Sequence, residues 1–102
     1  MIRIEAKKVD ASDVAAIIIK ALPDQGSIEV QRDVPGKEHV WHTHAVDETI
    51  VLLDGNLRFY WSDGDRLCSP GDVISLPAGT PHGSMALEKG ATYLIAFHAL
   101  GM

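Results

Sequence analysis

The chain has 102 residues, 46% hydrophobic and 23% charged, with nine Lys and Arg against fourteen Asp and Glu and a net charge of −5. That is one domain's worth of sequence, so an active site must lie inside a single core or between subunits. An acidic chain without a basic run argues against nucleic acid and anionic membrane surfaces as partners.

The single cysteine, Cys68, cannot form an intrachain disulfide, and nothing points to an oxidising compartment. The N-terminal stretch Met1 to Lys8 mixes charged and apolar residues, unlike a signal peptide. The longest apolar run, Val14 to Ile19, is far below the roughly 20 residues that span a bilayer. A cytoplasmic protein without a membrane segment is expected.

Residues 1–9 alternate Ile2, Ile4 and Ala6 with Arg3, Glu5 and Lys7, which predicts a short, half-exposed strand. Asp10 is the expected cap of a helix running to about Leu22, with Val14, Ile17, Ile18 and Ala21 on one face. Pro23 to Gly26 stops it. From Ser27 onward the chain reads as strands at about 28–34, 40–44, 48–53, 57–61, 66–68, 73–76, 82–87 and 91–99. The turns between them include Pro35-Gly36, Asp54-Gly55-Asn56, Asp63-Gly64-Asp65 and Glu88-Lys89-Gly90, and the Asp-Gly and Gly-Asn pairs signal hairpins because they tolerate positive φ. Short strands without crossover helices give an all-β class, an antiparallel sandwich or barrel. The expected organisation is one domain over 1–102, with a strand and helix extension at 1–26 and the β-barrel at 27–102.

His42 and His44 stand two apart on a segment read as a strand, so both side chains leave one face. Glu48 would lie about 13 Å further along a straight strand, so the chain must bend at Ala45 to Asp47 to bring it near. His82 follows the rigid turn Pro77 to Pro81. Three imidazoles and a carboxylate make a plausible shell for a borderline metal.

The frame around these residues is more specific than the histidines themselves. Gly36, five residues, His42, Thr43, His44, three residues, Glu48, six residues and Gly55 form one unit. Gly71, five residues, Pro77, Ala78, Gly79, two residues and His82 form a second. Together these resemble the two signature motifs of the cupin family, with one departure: Ala86 stands where the family has Asn. The resemblance spans residues 36–86 and implies a jelly-roll β-barrel with a metal bound inside. It also implies the ligands His42, His44, Glu48 and His82, holding one divalent ion: Fe, Mn, Ni, Zn, Co or Cu. Small cupins are commonly homodimers, often with N-terminal strands crossing between subunits.

Strand parity suggests the pocket walls. Ser84 shares a face with His82, and both Ser84 and Ala86 are small enough to leave room for a ligand. The apolar parity of Ile28, Val30 and Val34 carries Arg32 with it; an inward guanidinium would suit a carboxylate-bearing substrate, and a rim position facing solvent is the alternative. Phe59 and Trp61 share a face, as packing residues or a substrate platform, and His98 on the last strand could reach the pocket. His39 carries no assigned role. Both faces of 48–53 and 91–97 are apolar, more than one barrel interior can cover, which predicts a dimer.

Three functions remain open at this point. One is a metal-dependent oxygenase acting on a small oxygenated or carboxylate-bearing molecule, with Glu48 as a candidate catalytic base. A second is an isomerase, lyase or decarboxylase using the metal as a Lewis acid on a sugar acid or keto acid. The third is a non-catalytic module that binds or senses a small ligand.

Overall fold

The computed structural model describes residues 1–102. Seven strands and one helix follow in the order β1 (Arg3–Glu5), α1 (Val14–Ala21), β2 (Glu29–Asp33), β3 (Glu38–His42), β4 (Glu48–Trp61), β5 (Gly64–Cys68), β6 (Val73–Leu76) and β7 (His82–Ala96). All strand pairs are antiparallel.

The frame is one long ribbon of β4 and β7, paired from Thr49↔Ala96 to Trp61↔His82. The first half of β4 also pairs with β6, and the second half with β5. Likewise the second half of β7 pairs with β2 and its first half with β3. One ribbon thus contributes to two layers, β1-β6-β4-β7-β2 and β5-β4-β7-β3, rolled around a shared interior as a jelly roll. The outer edges do not pair with each other, so the roll is open-sided rather than a closed barrel.

Two expected reversals, at Asp54 to Asn56 and at Glu88 to Gly90, are therefore not hairpins. They are bends within β4 and β7, and the ladder slips register between Leu52 and Asp54 and again between Gly55 and Leu57. Positive φ serves a bend as well as a turn. Gly55 (φ +77°) faces Ala91, and a Cβ on Gly55 would overlap the Gly90 carbonyl oxygen. A Cβ on Gly90 (φ +71°) would come within 2.7 Å of the Asp33 carbonyl oxygen. The ribbon folds where both chains have given up their side chains.

Inside the roll, Ile50, Leu52, Leu57, Phe59, Ile74 and Leu76 form the larger core. Outside it, Ile17 and Ala21 of α1 pack on Val51, Val73, Leu94 and Ala96. The helix accounts for the second apolar face of β4 and β7, without a partner chain. It begins later than expected: Asp13, not Asp10, accepts from the Ala16 N–H at 3.2 Å and caps it. Asp10 instead holds Ser12 through its N–H (3.0 Å) and hydroxyl (2.6 Å). The N-terminal strand pairs within its own chain, Arg3↔Ser75 to Glu5↔Val73. Buried Asp72 fixes this corner by accepting from the N–H groups of Lys7 (2.8 Å) and Ser69 (2.9 Å).

Gly36 and Gly55 separate strain from overlap, since Gly36 also has positive φ (+83°) but open space around its missing Cβ. Gly36→Ala is expected to cost about 1 kcal/mol and Gly55→Ala at least about 3 kcal/mol in urea unfolding. Equal losses would show that the ribbon bend is not sterically fixed.

Candidate metal centre

The histidines meet where three chain segments converge. His42 ends β3 and pairs directly with His82 at the start of β7, which in turn pairs with Trp61 at the end of β4. His44 lies two residues past β3, in a loop tied to the segment that precedes His82. The Gly79 N–H donates to the His44 carbonyl at 2.8 Å, and the Ala78 N–H to Asp47 Oδ1 at 2.8 Å. The turn before His82 and the loop carrying His44 therefore fix each other. Asp47 also ends the bend that returns the chain to Glu48, the first residue of β4.

Ligating nitrogens of His42, His44 and His82 all lie within 4.8 Å of one another. Their ring centroids are 4.3 to 5.1 Å apart. In each ring Nδ1 is already engaged: His42 with the Val40 carbonyl (2.6 Å), His82 with the Thr80 carbonyl (2.9 Å) and His44 with Glu48 Oε2 (3.4 Å). That leaves the three Nε2 atoms as the available donors, and an Nδ1 held by a second group is how ligating histidines are oriented. Burial lowers the His82 pKa, as do the neighbouring His42 and His44, while the Thr80 carbonyl opposes the shift. The neutral, ligating form is therefore favoured. Phe59 stacks on His82 with centroids 5.5 Å apart and an interplanar angle of 15°, fixing the ring from the core side. The donor set fits one borderline divalent ion, with Glu48 touching the triad through His44.

Glu48 is buried at 6% exposure. Burial raises its carboxyl above the ordinary glutamate value, against the pull of His44 and His42. A cavity of about 250 Å³ opens over the triad, walled by Glu48, Phe59, Ser84 and Tyr93 among others.

Of the residues expected around the pocket, Phe59 and Ser84 line this cavity, and Arg32, Trp61 and His98 do not. Arg32 is corrected by strand parity: Glu29, Gln31 and buried Asp33 turn inward on β2, leaving Val30 and Val34 exposed with Arg32. The apolar parity of this strand marks its outer face, because its inner face borders a polar site. Trp61 lies over Gly64, whose missing Cβ makes room for the indole, beside Trp41 and Tyr60 in an outer groove. His98 falls beyond β7, where its carbonyl accepts the Thr49 hydroxyl at 2.9 Å, and Phe97 reaches the cavity instead. Sequence reasoning missed Glu29, Gln31, His39 and Tyr93, all in the cavity wall. His39 is three residues from His42, on opposite faces of a regular strand. A bulge between them places both toward the cavity, and no local residue pattern announces it.

The family profile described as "Cupin domain" matches residues 29–97, well over half of the chain. The chain belongs to the cupin family. Among curated proteins this cupin is 38% identical over 65 residues to acireductone dioxygenase of Cronobacter sakazakii, a match covering 54% of this chain and 36% of that protein. The matched stretch is thus only about a third of the relative's length. Among solved structures it is similar to a variant of Bacillus subtilis oxalate decarboxylase (TM-score 0.63, 28% identity, 72% of this chain and 21% of that one). A cupin-2 domain protein of Shewanella frigidimarina matches more of the chain (TM-score 0.58, 24% identity, 87% of this chain and 93% of that one) and supports the fold.

The raised carboxyl of Glu48 gives a test. A group whose pKa folding raises stabilises the fold fully below its ordinary value, 4.5 here, and that contribution is lost as pH rises through the raised value. At neutral pH the metal-free protein therefore carries a costly buried charge. Glu48→Gln is expected to raise the thermal midpoint of metal-free protein at neutral pH, with the gain shrinking toward acid, while weakening metal binding. An unchanged or lower midpoint at neutral pH would refute the assignment.

Proposed function

We propose that this cupin is a mononuclear metal-dependent enzyme of the oxygenase type, acting on a small oxygenated organic molecule. The observation that carries the reading is the triad of His42, His44 and His82, which lines a cavity of about 250 Å³ together with Glu48. A divalent transition metal held there would polarise a substrate oxygen and, if redox-active, bring dioxygen and a chelating substrate together. His42, His44 and His82 would hold the ion, and Glu48 would complete the set or act as a base. The similarity to acireductone dioxygenase supports the oxygenase class. No Lys or Arg lines the cavity, which favours hydroxyl and carbonyl groups over a carboxylate paired with a fixed cation.

The similarity to oxalate decarboxylase supports a second reading, redox-neutral cleavage of a small acid whose carboxylate would sit on the metal itself. The two separate in one experiment: metal analysis of the purified protein, then oxygen uptake measured against enediol, phenolic and keto-acid compounds. Substrate-dependent oxygen consumption is the expected result, and turnover without oxygen uptake would favour the second reading. His42→Ala and His82→Ala are each expected to lower metal affinity by more than about a hundredfold. Full metal occupancy in both variants would sink the proposal.

The proposal extends to location and assembly. No helix is long and apolar enough to cross a membrane. Cys68 is a buried free thiol pushed up to about 11 by burial, an inert group consistent with the cytoplasm. A homodimer is supported by exposed Val30 on edge strand β2, by Val34 just past its end, and by exposed Val40 and Trp41 on β3. Light scattering at micromolar concentration is expected to give twice the 11.0 kDa chain mass, and a clean monomer would remove this part.

A further inference from the structure

The cavity has a second polar wall, opposite in character to the imidazole triad. His39 Nε2 lies 3.1 Å from Asp33 Oδ2, and the Tyr93 hydroxyl lies 2.8 Å from the same oxygen. Tyr93 also stands 3.1 Å from Gln31 Oε1, and Gln31 Nε2 donates to Glu29 Oε2 at 3.3 Å. Asp33 is buried at 7% exposure and Tyr93 at 5%, whereas His39 is half-buried and lines the cavity.

The proton positions on this wall follow from its donors and acceptors. Tyr93 has one hydroxyl proton, and the shorter, charge-assisted bond takes it to Asp33. Burial and the bond to Asp33 raise the Tyr93 pKa far above the ordinary phenol, so the hydroxyl keeps that proton. Asp33 Oδ2 is then an acceptor twice over, and the only donor His39 can offer it is Nε2–H. The neutral ring therefore carries its lone pair on Nδ1, which has no hydrogen-bond partner within the protein. The carboxylate behind this half-exposed imidazole is buried and fixes the ring through its Nε2 side, leaving Nδ1 as the ring's one open acceptor.

We infer that His39 is the proton acceptor for a hydroxyl of the molecule bound in this cavity, with Asp33 and Tyr93 as its positioning residues. The inference rests on the cavity being a metal-dependent active site. The ligand class is a hydroxyl-bearing carbonyl or enediol compound that enters with its protons. The ligand's O–H bond breaks, its electron pair stays on oxygen, and the proton forms an N–H bond at His39 Nδ1. The imidazolium is balanced by Asp33, so an anionic oxygen donor is generated in a cavity without Lys or Arg.

Nitrocatechol is a suitable probe, because its visible spectrum distinguishes the neutral, singly ionised and doubly ionised forms. Zinc-loaded protein is titrated with it, and zinc content is measured on the same samples. Wild type is expected to bind the probe doubly ionised. His39→Gln is expected to retain zinc at the wild-type ratio, to bind the probe at least about tenfold more weakly, and to hold it singly ionised. Asp33→Asn and Tyr93→Phe should shift the bound spectrum in the same direction with zinc retained. Unchanged affinity and spectrum in His39→Gln would overturn the inference. If wild type holds no zinc, the metal reading fails, and the His39 assignment is decided by nitrogen NMR of the metal-free wild type. A protonated Nε2 and bare Nδ1 on His39 support it, and a ring without that tautomer preference overturns it.

Discussion

The bend in the β4–β7 ribbon is the constraint on which the rest of the molecule depends. A straight ribbon of two long strands would have two open faces and no interior. Folding it at Gly55 and Gly90 turns one face upon itself, so that Ile50 and Leu52 meet Leu57 and Phe59 across a core. The same bend sends the first half of β7, led by His82, to the layer that contains β3 and His42. It also sets Asp33, next to Gly90 in space, behind His39 and Tyr93 of the cavity's second wall. Core, triad and cavity are consequences of one steric arrangement in which two glycines leave room for crossing backbones.

The candidate metal set sits at the end of this ribbon, where the backbone can depart from a regular ladder. His42 and His82 are on paired strand ends, which fixes their separation by the ladder itself. His44 and Glu48 need a sharp change of direction between them, and the loop that provides it is tied to the Pro77–Pro81 turn by two 2.8 Å hydrogen bonds. The two sequence motifs are thus mechanically joined as well as adjacent. This explains why their spacing reads so clearly along the chain: each fixed interval corresponds to a strand or turn whose length sets where a side chain arrives.

Other features were legible only in part, for identifiable reasons. Most expected strands have counterparts, but β3 ends at His42 and leaves His44 in a loop, and Asp54-Gly55 and Lys89-Gly90 read as reversals because positive φ marks a bend and a hairpin alike. On β2 the alternation was correct and its direction wrong. The rule that apolar residues face inward fails where the interior is a polar cavity, so parity alone carries Arg32 to the wrong side and gives no sign of Glu29, Gln31 and Asp33. His39 was hidden by a bulge, a feature of the pairing between β3 and β7 that neither strand carries alone. The two-sided apolar character of β4 and β7 reads as a partner's footprint from the sequence alone. It belongs to α1, whose Ile17 and Ala21 cover Val51 and Leu94.

Charge balance ties the two walls of the cavity together. The chain is acidic overall, with a net charge of −5, and the cavity wall holds Glu29 and Glu48 with no Lys or Arg. A divalent ion at the triad would be the principal positive charge there, partly offset by Glu48. A ligand that arrived already anionic would gain from that ion but would face the carboxylates on its other side. A neutral hydroxyl compound avoids that repulsion on entry and becomes a good metal donor only after losing a proton. The proton then needs a destination that does not add charge near the metal. Asp33 and His39 provide one on the far wall, where a buried carboxylate makes a second positive centre tolerable. The polar residues of β2, which look out of place in a hydrophobic roll, are in this view the electrostatic counterpart of the histidine triad.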